Sequence, residues 1–457
     1  MRFICSICLS ATIFLSVMAS FSATASPLFQ AVQAGYYQHL FRIDGSNTIG
    51  AELAPALVKA WLAKHGANQI SVVDIAENEV RVVAFLPDRN AQVTVDIAAH
   101  GSGTGFSALA QETTDIAAAS RPVKPKEQSL FKAVDLTNVD SEHIVGIDGL
   151  AIIVHPSNPL RSLSVANLRR VFSGDVHNWS QLGGNDEAIN VFARDENSGT
   201  WDSFRHMVLG KMPLIDNAMR YESNNDLSDT VSQVQGAIGF VGLASVRDAK
   251  LMAISDGNVG ALQPNKLTVA TEDYALARRL YMYTAGKPTN AYVDDFLYFV
   301  ANEGQKQVSD VGFISQEVQP VFPEYLSALP KPMQGLVNNA YRLSLNFRFN
   351  NGSAKFDNKA QRDVDRLLEF MSEHPDAELM LFGFASESDD AEMTMLLSKH
   401  RAMAVSRALR RAAIYPDVVR GFGSQAPVAA VEDNDGRQKN SRVEVWIRPP
   451  QAYAEVY

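Results

Sequence analysis

The chain has 457 residues, 46% hydrophobic and 20% charged, and carries a formal net charge of −10. That length suffices for two or three domains with full cores. The acidic balance speaks against a general binder of nucleic acid or of acidic surfaces, so any anion site must be local and shielded from the overall field. Both cysteines, Cys5 and Cys8, fall in an apolar run from Ile4 to Phe21, behind Arg2 and ahead of Ala23-Thr24-Ala25. This pattern predicts a cleaved Sec signal over residues 1–25 and a periplasmic mature protein. The mature chain would hold no disulfide, no thiol nucleophile and no cysteine metal ligand.

In chain order, Phe41-Arg42-Ile43 predicts a strand running into Gly45-Ser46-Asn47-Thr48-Ile49. A helix follows, with Leu53, Leu57, Trp61 and Leu62 on one face. Ile70–Val73 predicts a second strand, and Val80–Leu86 with Val93–Ile97 a hairpin around Pro87-Asp88-Arg89-Asn90. Gly101-Ser102-Gly103-Thr104 opens another helix, and a small-residue strand from Asp115 to Ala119 ends at Ser120-Arg121-Pro122. His143 to Val154 predicts two strand pieces around Gly146-Ile147-Asp148-Gly149, a passage suited to a crossover between lobes. Ile189–Ala193 predicts the strand that feeds Arg194-Asp195-Glu196-Asn197-Ser198-Gly199-Thr200. Ser198 or Thr200 can cap the helix beyond, whose apolar face is Trp201, Phe204 and Val208. Strands and helices alternate to about Gln316, the α/β pattern. Pro320, Pro323, Pro330 and Pro332 then mark a linker. From Leu343 a separate βαβαββ unit is expected, a small α+β sandwich. Asn358 would cap its first helix, and Arg442–Arg448 would be its half-buried last strand.

Four polar turns, Gly45–Thr48, Gly101–Thr104, Ser120-Arg121 and Arg194–Thr200, each stand at the C-terminal end of a predicted strand. Ligands of open α/β sheets bind in the crevice outside those ends. The first turn of a helix offers unpaired N–H groups and a positive dipole end. Hydroxyls and the planar fork of Arg194 add donors there. Any one such turn is as well explained by an ordinary helix cap. Four in one domain, with many neutral donors and few cations, point to reversible capture of a tetrahedral oxyanion. The nine histidines show no metal-ligand spacing, and no nucleophile elbow or Walker loop occurs. No cofactor, metal or enzymatic activity is expected.

Residues 40 to about 316 resemble the PstS-like phosphate-binding proteins of bacterial ABC transporters. The resemblance rests on Gly45–Ile49, Gly101–Gly105, Ala119–Pro122, Asp148–Pro156, Val171–Trp179, Arg194–Thr200 and Gly236–Val241. It implies a two-lobed type II periplasmic-binding-protein fold that closes on inorganic phosphate and presents it to an ABC permease. By position, Thr48, the Ile49 amide, Ser102, Arg194, Ser198, Gly199 and Thr200 would touch phosphate, with Ser46, Ser120 and Arg121 beside them. Some relatives carry Asp where this chain has Arg121, and such an Asp can accept a phosphate proton and repel sulfate. Arg121 cannot accept. Discrimination against sulfate would then rest on another acceptor, such as Asp195, Glu196 or a backbone carbonyl, or be weaker, and Arg121 would be free to pair with a carboxylate of its own lobe.

Residues 343–448 resemble the OmpA-like peptidoglycan-associated domain, on Leu397–Ala402, Gly421-Phe422-Gly423 and Asn440–Val443. The resemblance implies peptidoglycan as a partner and association with the wall or outer membrane. Arg401 matches the family's ligand-gripping Arg. Its partner Asp is replaced by Ser386, and Asp389 or Asp390 would have to substitute. The expected organisation is a signal at 1–25 and a phosphate-binding domain at 26–318. Lobe I covers about 40–147 and 255–318, and lobe II about 148–254. A linker spans 319–342, and the OmpA-like domain 343–450. An envelope-associated phosphate sensor or structural protein without a transporter fits the same residues. A secreted phosphatase on the same fold would need the nucleophile–base pair or metal ligands that are missing.

Overall fold

The computed structural model describes residues 27–450, apart from 197, 258, 324–325, 327–328, 350–352 and 432–433; the expected signal segment lies outside the described residues. Nine strands on the main path of the large sheet precede the return to the first lobe: β1 (Tyr37–Gly45), β2 (Asn68–Ala76), β3 (Glu79–Leu86), β4 (Ala91–Ala98), β5 (Ile116–Ala119), β6 (Glu142–Val154), β7 (Asn190–Arg194), β8 (Met219–Tyr221) and β9 (Ala237–Gly242). Strand β10 (Ala277–Tyr283) completes the order β2-β3-β4-β1-β5-β10-β6-β9-β7-β8 in an 11-stranded sheet, with Lys250–Leu251 added beside β6. Strands β4 and β5 run parallel to β1, and β7 runs parallel to both β9 and β8. Strands β6 and β10 are antiparallel to each other.

The expected pair of strand pieces in 143–154 is one continuous 13-residue strand, buried almost throughout. Its first half pairs with β10 and its second half with β9, so it passes from one lobe into the other without a break. Helices cover both faces, which is why it reads as a near-continuous apolar run. Strand β10 makes the return crossing. Tyr274, Leu276 and Ala277 pack in the core of lobe II with Phe172, Phe204 and Phe240. Leu280 and Met282 pack in the core of lobe I with Phe41, Trp61 and Phe296. Val269 also belongs to the lobe II core, so the return to lobe I falls near 277 and not near 255.

The C-terminal sheet contains β11 (Pro320–Val321), β12 (Tyr341–Arg348), β13 (Glu378–Gly383), β14 (Val418–Gly421) and β15 (Arg442–Arg448), in the order β11-β12-β15-β13-β14. The helices Asn358–Glu373 and Ala391–Arg410 pack over it, and a short helix, Asn434–Asn440, precedes β15. Asp357, not Asn358, caps the first of these: its carboxylate accepts from the Ala360 amide at 2.8 Å. Residues 319–342, expected as a linker, are part of this domain. Strand β11 pairs with β12 at the sheet edge, where a proline costs no ladder bond. Leu329, Met333 and Val337 pack under the sheet against Phe382, Phe384 and Trp446.

The two domains share a buried ionic interface. Asp273 accepts from Arg342 at 2.6 Å and from Arg348 at 3.2 Å, and Arg442 stands 3.9 Å away. Glu272 is bound by Arg279 at 2.6 Å, and Arg279 also reaches Asp357 at 2.9 Å. Asn358 donates to the Glu142 carboxylate at 3.1 Å, and Arg362 to the Glu142 carbonyl at 3.1 Å. The charged face of β15, expected at the surface, is therefore buried: Arg442 and Glu444 are each 1% exposed, because the first domain covers them.

Candidate functional site

Strand β1 ends at Gly45, whose φ of +137° turns the chain sharply. A Cβ there would sit 2.1 Å from the Ala118 carbonyl oxygen of β5. The Ser46 amide donates to that same oxygen at 2.9 Å and starts the short helix Asn47–Gly50. In the other lobe β7 delivers Arg194, and Ser198 begins the helix Gly199–Phe204. The Ser198 hydroxyl accepts from the amides of Thr200 at 3.2 Å and Trp201 at 3.4 Å. It is the cap; Thr200 is not.

The two helix starts face each other across the lobes. A Cβ on Gly199 would lie 2.1 Å from the Thr48 hydroxyl oxygen and 2.3 Å from its Cα. Only glycine allows this approach. Beside it lies a cleft of about 430 Å³ whose walls include Thr48, Arg194, Ser198, Gly199 and Thr200, together with Glu52, Asp148 and Ser223. Arg194 is 8% exposed. It donates to the backbone carbonyls of Tyr221 and Glu222 and stands 3.4 Å from the Thr200 hydroxyl. Burial pushes its pKa down, and Asp195 and Glu52 pull it back up. A guanidinium keeps its charge under such shifts, so the cleft holds a fixed cation braced mainly by neutral oxygens.

The other residues expected at the site do not line this cleft. The Ile49 amide bonds back to the Ser46 carbonyl at 3.2 Å, and its side chain belongs to the lobe I core. The Ser102 hydroxyl accepts from the Ser120 amide at 3.2 Å. The hydroxyls of Ser46 and Ser120 are buried at the ends of β1 and β5 and find no hydrogen-bond partner among the described residues. Arg121 is tied to Glu127 by two bonds, at 2.6 and 2.8 Å, and lies over the Phe106 ring. It is thus paired within its own lobe.

Two residues were missed in the sequence: Asp148, which lines the cleft, and Arg278, which lies behind its wall. Arg278, on β10, donates through Nε to Asp148 at 3.2 Å. Its Nη2 donates to the Thr48 hydroxyl at 2.9 Å and to the Gly199 carbonyl at 3.1 Å. Burial lowers its pKa and the Asp148 carboxylate opposes that. The available signal was a charge inside each of two apolar strands, since a buried charge demands a partner.

In the C-terminal domain Arg401 is 1% exposed. It donates to the carbonyls of Ser353 at 3.2 Å and Phe384 at 3.3 Å, and its guanidinium lies 5.5 Å from the Phe349 ring. Among the described residues no carboxylate pairs with it, and burial pushes its pKa down to about 10. The Ser386 hydroxyl is buried without a hydrogen-bond partner among the described residues. Asp390 is occupied as a helix cap, accepting from the Met393 amide at 2.9 Å.

Comparison with known proteins agrees with this architecture. The model of the PBP superfamily domain matches residues 75–303, half of the chain. This chain belongs to the PBP superfamily. The OmpA family model matches residues 348–441, so an OmpA domain follows the PBP domain. Protein SphX of Synechococcus elongatus is 27% identical over 311 residues, 65% of this chain and 84% of that protein. The phosphate-binding protein PstS of Bacillus subtilis is 28% identical over 229 residues, 50% of this chain and 73% of its own length. A crystal structure of a possible phosphate-binding protein from Planctomyces limnophilus is 26% identical, covers 66% of this chain and 96% of its own, and has a TM-score of 0.49. The PBP domain has the two-lobed type II fold, with the cleft between its lobes.

Proposed function

We propose that this protein captures inorganic phosphate in the interlobe cleft, by closure of the two lobes, for ABC-type uptake. The observation that carries this reading is the meeting of the Thr48 and Gly199 helix starts beside Arg194. Donors from both lobes converge there on one small polar cavity with a fixed cation, the chemistry of oxyanion capture. The names of the PstS relatives support phosphate as the anion. The Ser198 hydroxyl is engaged by the Thr200 and Trp201 amides, which supports binding without turnover. Isothermal calorimetry of the mature full-length chain tests it. Phosphate should give a saturable heat at micromolar protein, and no heat would end the proposal.

The OmpA domain, on the same proposal, holds the protein on peptidoglycan in the periplasm. Arg401 supports this: a buried cation braced by carbonyls, with no paired carboxylate among the described residues, retains charge for an anionic group of the wall peptide. No helix among the described residues is long and apolar enough to cross a membrane. Co-sedimentation with purified peptidoglycan, for the full chain against Arg401→Ala, is the test. Equal pelleting of the two would remove Arg401 from the role.

A further inference from the structure

The helix Ala391–Arg410 of the OmpA domain packs against β13, β14 and β15 and buries Thr394, Ser398, Arg401, Ala402, Val405 and Leu409 on one face. The opposite face of such a helix is ordinarily polar. Here it carries Met393, Leu396 and Met403, which are 56%, 46% and 39% exposed, with the exposed His400 and Arg407 in line with them. Positions 393, 396, 400, 403 and 407 alternate steps of three and four, which keeps them in one stripe about 20 Å long. That is the spacing by which one helix seats against another.

Charge sets the direction of the second helix. Glu387, Asp389, Asp390 and Glu392 stand exposed at the N-terminal end of the stripe, and Arg407, Arg410 and Arg411 at its C-terminal end. None of these forms an ion pair among the described residues. We propose that the stripe seats the same helix of a second copy of this chain, antiparallel about a two-fold axis near His400. In that arrangement Leu396 of each copy lies beside Met403 of the other, and the acidic end of each helix meets the basic end of the other. A parallel pair would set acid on acid and arginine on arginine. Lys399 flanks the axis on each copy, one like-charge contact against two clusters of opposite charge. The contact is isologous, so it closes at two chains. Three apolar side chains per copy bury less than a standard interface does, so the dimer should form reversibly at about 10–100 μM. On the wall-binding proposal, a dimer presents two OmpA domains to one peptidoglycan polymer and gains avidity. The dimer itself depends on neither the oxyanion reading nor the wall reading.

Sedimentation equilibrium of the mature full-length chain, from about 1 to 300 μM, tests this. Wild type should pass from one chain per particle to two, and added salt should weaken the dimer. Leu396→Glu should move dimerisation at least about 10-fold higher in concentration while thermal unfolding stays put, because that side chain faces solvent. Reversing the charge of one end, as Arg407→Glu/Arg410→Glu or as Glu387→Lys/Glu392→Lys, should weaken self-association too. An equimolar mixture of those two variants should pair again, since each brings the charge that the other lacks. A wild type that stays monomeric throughout overturns the proposal, and loss of peptidoglycan co-sedimentation in Leu396→Glu would then give the stripe to the wall. A dimer that survives Leu396→Glu, or that charge reversal leaves untouched, overturns it as well.

Discussion

Arg278 and Arg279 are neighbours on one strand, and they point to opposite faces of it. Arg278 turns to the cleft, where its bonds go to one carboxylate, a hydroxyl and a carbonyl. Arg279 turns to the domain interface, where it meets two carboxylates, Glu272 and Asp357. The same contrast separates the two regions as wholes. At the interface Arg342, Arg348 and Arg442 surround Asp273, with Glu444 and Glu272 beside them, so charge is compensated inside the protein. At the cleft Arg194 is braced by carbonyls and a hydroxyl, with the Asp195 carboxylate 3.8 Å away and Glu52 adding a weaker pull. Internally matched charge holds structure together; charge braced by neutral dipoles remains available to a ligand. By that criterion Arg401 belongs with the cleft.

The largest effect should come from unmatching the interface. Asp273→Ala leaves Arg342, Arg348 and Arg442 buried around a missing acid, and should cost about 3–5 kcal/mol in chemical denaturation. A loss below about 1 kcal/mol would mean that the charges there are solvated after all. The same region governs acid stability. Burial alone would raise Glu272, but Arg279 outweighs it, with Lys359 and Arg348, and holds the carboxyl down to about 2. His143 is held neutral by burial and by Arg362, down to about 3. Both groups have folded values below their unfolded ones, so their stabilisation is complete above the unfolded values. For His143 it should drain away from about pH 6.5 to 3, and for Glu272 from about 4.5 to 2. Unfolding curves against pH, with His143→Gln flattening the upper part of the fall, check the sign.

In the cleft, Arg194→Ala should weaken phosphate binding by about 2–5 kcal/mol while unfolding changes less. Equal damage to binding and stability would place Arg194 with the interface arginines. Gly199→Ala should cost phosphate binding about 1–3 kcal/mol, because its methyl group meets Thr48 as the lobes shut. Unchanged affinity would show that the lobes need not come this close. The smallest stability effect is expected for Arg401→Met. It removes a buried cation that no carboxylate compensates, and should shift unfolding by less than about 1 kcal/mol. A large loss in denaturation would show that Arg401 is structural.

Much of this was legible in the amino-acid order. The alternation of strands and helices gave the α/β class, the resemblance to PstS-like proteins implied the two lobes, and Arg194–Thr200 stood out as a loop entering a helix because its residue types serve caps and anions alike. Local chemistry of that kind survives in a short window. What stayed hidden depends on partners far along the chain. Asp148 and Arg278 look like isolated charges in apolar strands until β6 and β10 pair. Alternation in Arg442–Arg448 correctly gave a strand, yet its charged face is buried: Arg442 pairs with Glu444 on the same strand at 2.7 Å, and Asp273 of the first domain stands 3.9 Å from it. The prolines of 319–342 read as punctuation, whereas Pro320 sits on a strand edge and Pro330 leads a turn that seats Met333 under the sheet.

The position of the ionic interface has a mechanical consequence. Strands β6 and β10 are the two beams that join the lobes, and the OmpA domain grips both: Asn358 and Arg362 hold Glu142 at the start of β6, and Asp357 holds Arg279 on β10. Bending either beam loads that grip. The C-terminal domain is therefore a splint across the joint and not a weight hung from a string, and a chain cut near residue 330 would move with a different stiffness from the intact one.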